Sequence, residues 1–289
     1  MVLKGHTETV YDIAIKNDGL IASASGDKTV RFWDLKSGKQ LKMLKGAHSK
    51  PVYGVAFHPF DDNLLATCSM DNEIVLWDIA TETKLKILKG HKKSIRSISF
   101  SLDGNVLISG SNDKTIGLWD TNSGKLLRTL KGHLDQVWCV AIGYDITLAS
   151  ASKDKTARLW NLETGELLQV FSHANYVSDV AFSPQHVDLL ASACFDNNIY
   201  FWQSGSKSPV RLIKAHEQPV LGIAFSHNGK FVASSSADNS IGLWDVRTGE
   251  CILRLTGHSE PVRKILFSLD DSFLISCSED KTIGIFEIV

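Results

Sequence analysis

The sequence predicts an all-β protein, a seven-bladed β-propeller built from four-stranded antiparallel blades, and three observations support that prediction. First, a unit of about forty residues recurs seven times along the 289-residue chain. Second, each unit begins near a histidine and carries an aromatic residue 27 to 29 positions later. Third, apolar and polar residues alternate in short runs, and no segment shows a helical period. The pairs are His6 and Trp33, His48 and Trp77, His91 and Trp119, His133 and Trp160, His173 and Trp202, His216 and Trp244, and His258 and Phe286.

The third unit illustrates one blade. Its four short runs are separated by turn residues, and they are SIRSISF (94–100), VLISGS (106–111), IGLWD (116–120) and LLRTL (126–130). Consecutive strands joined by tight turns pair with each other, so four such runs predict a small antiparallel sheet. Seven of these sheets, packed radially around an axis, leave only short strand edges exposed.

The two ends of the chain predict how the ring closes. The last unit ends after three strands, at IGIFEIV (283–289), whereas VLKGH (2–6) matches the joint between an outer strand and the next unit. We therefore expect the first residues to supply the outer strand of the seventh blade. The chain, 1–289, then forms one domain, with repeats over roughly 6–47, 48–90, 91–132, 133–172, 173–215, 216–257, and 258–289 plus 1–5.

Composition predicts an intracellular protein, cytoplasmic or nuclear. The formal net charge is −1, so there is no global attraction to nucleic acid or anionic lipid. The five cysteines include no CxxC pair, which favours free buried thiols over a disulfide framework. No stretch approaches the roughly 20 apolar residues of a membrane span, and no Asn-x-Ser/Thr acceptor is present.

Two dipeptides recur in register with the repeat. Gly-His stands at 5–6, 90–91, 132–133 and 257–258, and Trp-Asp stands at 33–34, 77–78, 119–120 and 244–245. On these residues the chain resembles the WD-repeat, or Gβ-like repeat, family over essentially its whole length. The resemblance implies a buried network in each blade, running from a turn Asp through His and a hydroxyl to Trp. Three complete sets are His6, Ser23, Asp27 and Trp33; His91, Ser109, Asp113 and Trp119; and His133, Ser150, Asp154 and Trp160. Phe286 has no N–H, so the seventh network lacks its indole donor.

Ser, His and Asp also occur together in hydrolase triads. Here they recur once per unit, so no single set is distinctive and the blade network accounts for them. The sequence lacks GxxxxGK[ST], GxGxxG and HExxH. The remaining histidines, His58, His186 and His227, are interpreted as solvated turn residues. We therefore predict a protein that is not an enzyme, with no catalytic residue, no metal ligand and no cofactor.

The resemblance also implies one face around the central axis, formed by the loops before each inner strand and by the Asp turns. Large side chains are expected there at Tyr11, Tyr53, Met70, Arg96, Trp138, Tyr176, Phe195 and Arg263. Aromatic residues and arginine dominate binding hot spots, so we predict a partner-binding surface. The alternative is that these rings fill the mouth of the channel. Arginine among aromatics suits a carboxylate or phosphate, whereas rings alone suit a cation.

These features predict a non-catalytic protein–protein interaction scaffold that docks a peptide or a partner surface on the aromatic-rich face. The alternative is a nucleic-acid or ribonucleoprotein component using a basic outer rim, Lys4, Lys36, Lys39, Lys42, Lys45, Lys84, Lys86, Lys89, Arg128 and Lys131. Lysines on edge strands also prevent aggregation, and that interpretation is favoured. The expected partners are other proteins or peptides rather than nucleic acid or membrane. The chain is expected to be monomeric by itself and to act within a complex. A module of a larger chain is a third interpretation.

Overall fold

In a computed structural model, the structure describes residues 1–16, 18–46, 48–144 and 146–288. These residues form 28 β-strands in seven four-stranded antiparallel sheets, and no helix occurs among them. The predicted all-β propeller is therefore confirmed. Ala47 and Val289, where the first and last predicted repeats end, lie outside the described residues.

The strands are short and follow one another at regular spacing. The first half of the chain contains β1 (Val2–Lys4), β2 (Val10–Ile15), β3 (Leu20–Ser25), β4 (Val30–Asp34), β5 (Gln40–Leu44), β6 (Val52–Phe57), β7 (Leu64–Ser69), β8 (Glu73–Asp78), β9 (Thr83–Lys89), β10 (Ile95–Phe100), β11 (Val106–Ser111), β12 (Ile116–Asp120), β13 (Leu126–Leu130) and β14 (Val137–Ile142). The second half contains β15 (Thr147–Ser152), β16 (Thr156–Asn161), β17 (Leu167–Ser172), β18 (Val177–Phe182), β19 (Leu189–Cys194), β20 (Asn198–Gln203), β21 (Arg211–Lys214), β22 (Val220–Phe225), β23 (Phe231–Ser236), β24 (Ile241–Asp245), β25 (Cys251–Leu255), β26 (Val262–Phe267), β27 (Phe273–Ser278) and β28 (Thr282–Glu287).

Six blades consist of four consecutive strands, which run from the inner strand at the channel to the outer strand at the rim. The first to sixth blades are β2 to β5, β6 to β9, β10 to β13, β14 to β17, β18 to β21 and β22 to β25. The seventh combines β26, β27 and β28 with β1. In the third unit the predicted strands agree with β10 to β13, except that β10 begins one residue later, at Ile95.

Burial explains why the strands differ in composition. The second strand of each blade is almost entirely buried, as in LIASAS of β3 and LLATCS of β7, and small residues there let neighbouring blades approach. Outer strands are largely exposed, as in β13, where only Leu130 is buried. One apolar cluster packs Phe32 of the first blade against Val55 and Trp77 of the second. Contacts between neighbouring blades therefore supply the core, as in other repeat architectures.

The N-terminal strand closes the ring, as predicted. β1 pairs with β28 in the register Val2↔Gly284, Leu3↔Ile283 and Lys4↔Thr282. Leu3 is 3% exposed and packs in one cluster with apolar residues of the first and seventh blades. The third strand of the last unit, predicted over 283–289, is observed as β28 (Thr282–Glu287).

The turn between the second and third strands has the same backbone shape in every blade. The residue after the turn Asp has a positive φ: Lys28 (68°), Asn72 (71°), Lys114 (75°), Lys155 (68°), Asn197 (73°), Asn239 (69°) and Lys281 (70°). This left-handed region is costly for lysine and more easily adopted by asparagine. In the first blade the turn lets Oδ1 of Asp27 accept the N–H of Thr29 at 3.0 Å. The turn thereby fixes the carboxylate that faces the blade interior.

Candidate functional site

In five of the seven blades a chain of hydrogen bonds links tryptophan, a hydroxyl, histidine and the turn Asp. In the first blade the indole Nε1 of Trp33 donates to the Ser23 hydroxyl at 2.9 Å. Nε2 of His6 lies 2.8 Å from Ser23 Oγ, and Nδ1 of His6 lies 2.8 Å from Asp27 Oδ2. A His6 tautomer protonated on Nδ1 satisfies all of these groups, because Ser23 then donates to Nε2 while Nδ1 donates to Asp27.

The same contacts recur in four other blades. In the third and fourth blades the donor–acceptor distances are 2.7 to 2.8 Å. The residues are His91, Asp113, Ser109 and Trp119 in the third blade, and His133, Asp154, Ser150 and Trp160 in the fourth. In the second and sixth blades the distances are 2.7 to 3.1 Å, in the sets His48, Asp71, Thr67 and Trp77, and His216, Asp238, Ser234 and Trp244. The sets that the resemblance implied are thus brought together in space.

Two blades depart from this arrangement. In the fifth, Nδ1 of His173 lies 3.1 Å from the backbone carbonyl two residues earlier, and Asp196 accepts a hydrogen bond from the Tyr200 hydroxyl at 2.5 Å instead. In the seventh, Phe286 occupies the position of the indole, so Ser276 receives no bond from that ring.

Burial and hydrogen bonding act in opposite directions on the turn carboxylates. Burial raises the pKa of Asp27, but hydrogen bonds from His6 and a neighbouring hydroxyl outweigh it and hold the pKa well below its usual value. The same balance lowers the pKa of Asp238 to about 2. Burial lowers the pKa of His173 and that of His216 to about 4. At neutral pH the sixth blade therefore holds an ionised carboxylate against a neutral imidazole.

Charged side chains line the channel below the face. Nζ of Lys264, on β26, lies 2.7 Å from Oδ2 of Asp179, on β18, and the inner strand β22 contacts both of these strands. A Cβ at Gly222 would lie 3.2 Å from Cα of Lys264, so glycine at this position lets the inner strands β22 and β26 approach each other closely. Asp12 lines the same channel, and burial raises its pKa to about 6.

Inner-strand side chains also tie neighbouring blades together. In three cases a side-chain oxygen accepts a backbone N–H of the next inner strand at 3.0 to 3.2 Å, and the pairs are Asp12 with Val55, Ser97 with Val140 and Asp179 with Ile223. Asp12, Asp179 and Lys264 are not among the residues predicted from the sequence to form a site. Each is a charged residue at the third position of an inner strand in which most other residues are apolar, in VYDIAI, VSDVAF and VRKILF. That interruption is the signal by which they could have been found.

On the face itself, two tyrosines and two arginines form one group. The rings of Tyr11 and Tyr53 meet edge to face with centroids 4.7 Å apart. The guanidinium carbon of Arg96 lies 4.4 Å from the Tyr53 ring centroid, and that of Arg263 lies 6.0 Å from the Tyr11 centroid. Burial raises the pKa of the Tyr11 phenol. This group surrounds one side of the channel mouth.

Three aromatic rings form the second group. The Trp138 centroid lies 5.8 Å from that of Tyr176 and 5.4 Å from that of Phe195, and the last two lie 5.8 Å apart. Nζ of Lys153 lies 5.5 Å from the Tyr176 centroid. The indole Nε1 of Trp138 donates to Gln136 at 3.1 Å, so the one polar group of this half-buried ring already has a partner.

The structure brings together most of the predicted face residues. Six of them line a cavity of about 250 Å³ at the channel mouth, and they are Tyr11, Tyr53, Arg96, Trp138, Phe195 and Arg263. Tyr176 joins this group through its contacts with Trp138 and Phe195. Met70 is 40% exposed and is not among the residues that line the cavity. Ser178 and Leu221 complete the lining.

The histidines outside the networks differ in their surroundings. His58, interpreted from the sequence as a solvated turn residue, instead links two blades: its Nε2 lies 3.2 Å from Gly104 O and its ring lies 5.0 Å from that of Phe100. His227 lies 3.0 Å from Asp271 of the next blade. Across residues 1–16, 18–46, 48–144 and 146–288, no group of three or more His, Cys, Asp or Glu side chains is arranged to hold a metal ion.

The cysteines form no disulfide, in line with the sequence prediction. All five are free, four of them buried and Cys251 exposed. Within the part of the chain that the structure describes, we find no helix of the length and apolarity that crossing a bilayer requires.

Comparison with known proteins places the repeats in a family. The family described as "WD domain, G-beta repeat" matches seven segments, 1–34, 38–78, 82–120, 124–161, 165–203, 207–245 and 249–287. "WD repeat and SOCS box-containing protein 1" of Homo sapiens is 48% identical over 60 residues, which is 20% of this chain and 14% of that protein. A subunit of chromatin assembly factor 1 of Mus musculus is 43% identical over 58 residues, 20% of this chain and 10% of that protein. "Coronin-7" of Bos taurus is 42% identical over 60 residues, 20% of this chain and 6% of that protein. Each match therefore spans a small part of the relative's length.

Proposed function

Because the chain belongs to the WD-repeat family of β-propellers, we propose that it is a non-catalytic scaffold that docks a peptide or a protein surface on its aromatic-rich face. WD-repeat propellers generally bind other proteins. One of the relatives is by name a subunit of an assembly factor. The observation that carries the proposal is the cavity at the channel mouth, where four aromatic rings and two guanidinium groups converge. Clusters of this composition are typical of interaction hot spots.

The scaffold under the face suits such a role. Recognition residues placed on a rigid frame lose little conformational entropy when a partner binds. Tyr11, Tyr53, Trp138 and Tyr176 stand on or directly before inner strands, and those strands are anchored by ladders of backbone hydrogen bonds. The backbone that carries these side chains is therefore held in place before a partner binds.

A second candidate, nucleic-acid binding at the basic outer rim, has less support. Nζ of Lys42 donates to a backbone carbonyl of the second blade at 2.9 Å, and Nζ of Lys84 donates to one following the first blade at 2.7 Å. Lys89 pairs with Glu73 at 2.6 Å, and Arg128 donates to a carbonyl of the fourth blade. These head groups are engaged with the protein itself, so the rim offers fewer free cations than the sequence suggests.

Affinity capture from a cell lysate, run on three versions of the chain, tests the proposal. The face variant is Tyr53→Ala/Trp138→Ala/Tyr176→Ala. The matched control, Leu41→Ala/Leu85→Ala/Leu168→Ala, removes side chains that are 56%, 51% and 50% exposed on outer strands. Thermal melts establish that each version is folded.

We expect proteins that bind the unmodified chain and the control but not the face variant. Equal capture by all three versions would contradict the proposal and would mean that the rings only fill the channel mouth. Capture that disappears after nuclease treatment or falls steeply with salt would instead support the basic rim.

A further inference from the structure

Resting on the function proposed above, we propose that the face recognises an acidic residue of its partner: the carboxylate of an aspartate or glutamate side chain binds Arg96, and a neighbouring large apolar side chain packs on Trp138, Tyr176 and Phe195.

Arg96 is held in place with its outer nitrogens free. Its Nε donates to Oδ1 of Asn112 at 3.1 Å, and its guanidinium lies over the ring of Tyr53. Neither terminal nitrogen has a hydrogen-bond or ion-pair partner among residues 1–16, 18–46, 48–144 and 146–288. A planar guanidinium fixed at Nε and stacked on a ring presents two parallel N–H donors, which match the two oxygens of a carboxylate.

The other arginine of the cavity is already neutralised. The guanidinium of Arg263 lies 2.5 Å from the carboxylate of Glu279, which stands in the neighbouring Asp turn. Arg96 has no such partner among the described residues, and the exposed Lys92 and Lys93 lie in the loop that leads into its strand. The positive charge at the mouth is therefore concentrated on the Arg96 side, where it attracts an anion.

The three aromatic rings do not form a cage for a cation. Their centroid separations of 5.4 to 5.8 Å are those of rings in direct contact, so no gap remains between them for an ammonium group. Nζ of Lys153 already lies near the Tyr176 ring. The rings form an apolar platform, and the choice between an anionic and a cationic ligand falls to Arg96.

The channel confines the anion to the mouth. Asp12 and Asp179 line the channel beneath the cavity, and of these Asp179 is paired with Lys264. Lys264 balances one of these two carboxylates, so a carboxylate moving inward would meet a net negative charge, which repels it. The bound acidic group is therefore expected to stay at the level of Arg96, beside the aromatic platform.

The test uses a phage-displayed library of random linear peptides, selected on the full chain. Selected peptides are synthesised in three forms that carry glutamate, glutamine or phosphoserine at the enriched acidic position. Binding is measured by fluorescence polarisation to the unmodified chain, to Arg96→Gln and to Arg96→Lys. Arg247→Gln is the matched control, because Arg247 is an exposed arginine in a turn at the end of β24, outside the cavity.

We expect acidic residues to be enriched next to large apolar ones. Replacing the glutamate of the peptide by glutamine should weaken its binding to the unmodified chain and to Arg247→Gln about tenfold or more. The same replacement should have little effect on binding to Arg96→Gln. The affinity of Arg96→Lys for the glutamate peptide should be intermediate, because lysine keeps the positive charge but lacks the two parallel N–H donors.

Three results would overturn the inference. The first is an absence of acidic enrichment, and the second is an equal effect of the glutamine exchange on Arg96→Gln. The third is binding of the phosphoserine form alone. Peptides that need the aromatic platform but no acidic residue would overturn this inference and leave the proposed function standing. Peptides that bind the Tyr53→Ala/Trp138→Ala/Tyr176→Ala variant undiminished, or a selection that yields none, would overturn both.

Discussion

Replacing Phe286 by tryptophan should stabilise the protein, because the seventh blade has the indole's acceptor but no indole. In the other six blades the tryptophan Nε1 lies 2.8 to 3.0 Å from a serine or threonine hydroxyl. The equivalent hydroxyl, Ser276, lies 2.8 Å from Nε2 of His258. A Phe286→Trp variant would complete the missing hydrogen bond.

The surroundings of Phe286 match those of a tryptophan site. A Cβ built at Gly284 would lie 2.9 Å from Ser276 Oγ and 3.0 Å from His258 Nε2, the same distances that a Cβ at Gly117 would have to the hydroxyl and imidazole of the third blade. A Cβ at Gly257 would lie 3.6 Å from the Phe286 ring, whereas one at the equivalent Gly90 would lie 2.9 Å from the indole there. The seventh blade therefore has room for the larger ring.

The expected gain can be worked out from these contacts. A net hydrogen bond contributes about 1 kcal/mol to the free energy of unfolding. The extra apolar area of the indole adds about 1 kcal/mol at most, before any repacking cost. A gain of about 1 to 2 kcal/mol raises Tm by roughly 2 to 3 °C in a protein of this size.

The measurement is a double-mutant cycle followed by thermal and denaturant unfolding. It compares the unmodified chain with Phe286→Trp, Ser276→Ala and the double variant, so that the coupling between indole and hydroxyl is isolated. We expect the gain to be smaller by about 1 kcal/mol without the Ser276 hydroxyl, because the hydrogen bond is then lost and only the apolar contribution remains. A Phe286→Trp variant that is no more stable, or whose gain survives Ser276→Ala, would refute the reasoning that the network stabilises the blade.

Three further outcomes follow from the structure. Leu3→Ala should lower the free energy of unfolding by about 3 kcal/mol, because Leu3 is 3% exposed. Val2→Ala on the same strand should change it little, because Val2 is 52% exposed, and equal Tm values for the two variants would contradict this prediction. Tm should fall as the pH is lowered from about 6.5 to 4, because the folded-state pKa values of His173 and His216 are near 4, below the unfolded value. The stability that these neutral histidines contribute is present above pH 6.5 and is lost as the pH falls below it. A Tm that does not change over this pH range would contradict the prediction. Lys264→Met should cost about 3 to 5 kcal/mol in urea unfolding, since it leaves a buried carboxylate unpaired, and a change below 1 kcal/mol would show that the carboxylate is solvated.

The periodic features of the molecule could be predicted from the sequence, because they recur. The alternation within each run located the strands, and the match between the first residues and an outer-strand joint predicted that β1 completes the seventh blade. Features that occur once were harder to predict. In the fifth blade the Tyr200 hydroxyl, and not the imidazole of His173, donates a hydrogen bond to the turn residue Asp196. Nothing in the repeat pattern indicates this exchange of partners.

On the face, too, features that follow the repeat could be predicted and features that occur once could not. Its residues could be placed by position in the repeat, and six of the predicted ones do line one cavity. Which arginine is free could not be predicted, because it depends on side-chain contacts between a strand and a turn. Arg263 reaches Glu279 while Arg96 is bound at Nε by Asn112, and both arrangements fit the same repeat position.

The pairing of β1 with β28 also governs the order in which the molecule can fold. Most strand contacts join strands of the same blade or of the next blade along the chain, so they can form progressively as the chain is synthesised. Ring closure is different, because the carbonyl of Met1 and the amide of Ile285 must meet across 284 positions. Until β28 has been made, β1 has no partner, and the apolar side of the first blade, with Val10 and Ile21, stays uncovered. Completion of the ring is therefore the step at which folding competes with aggregation.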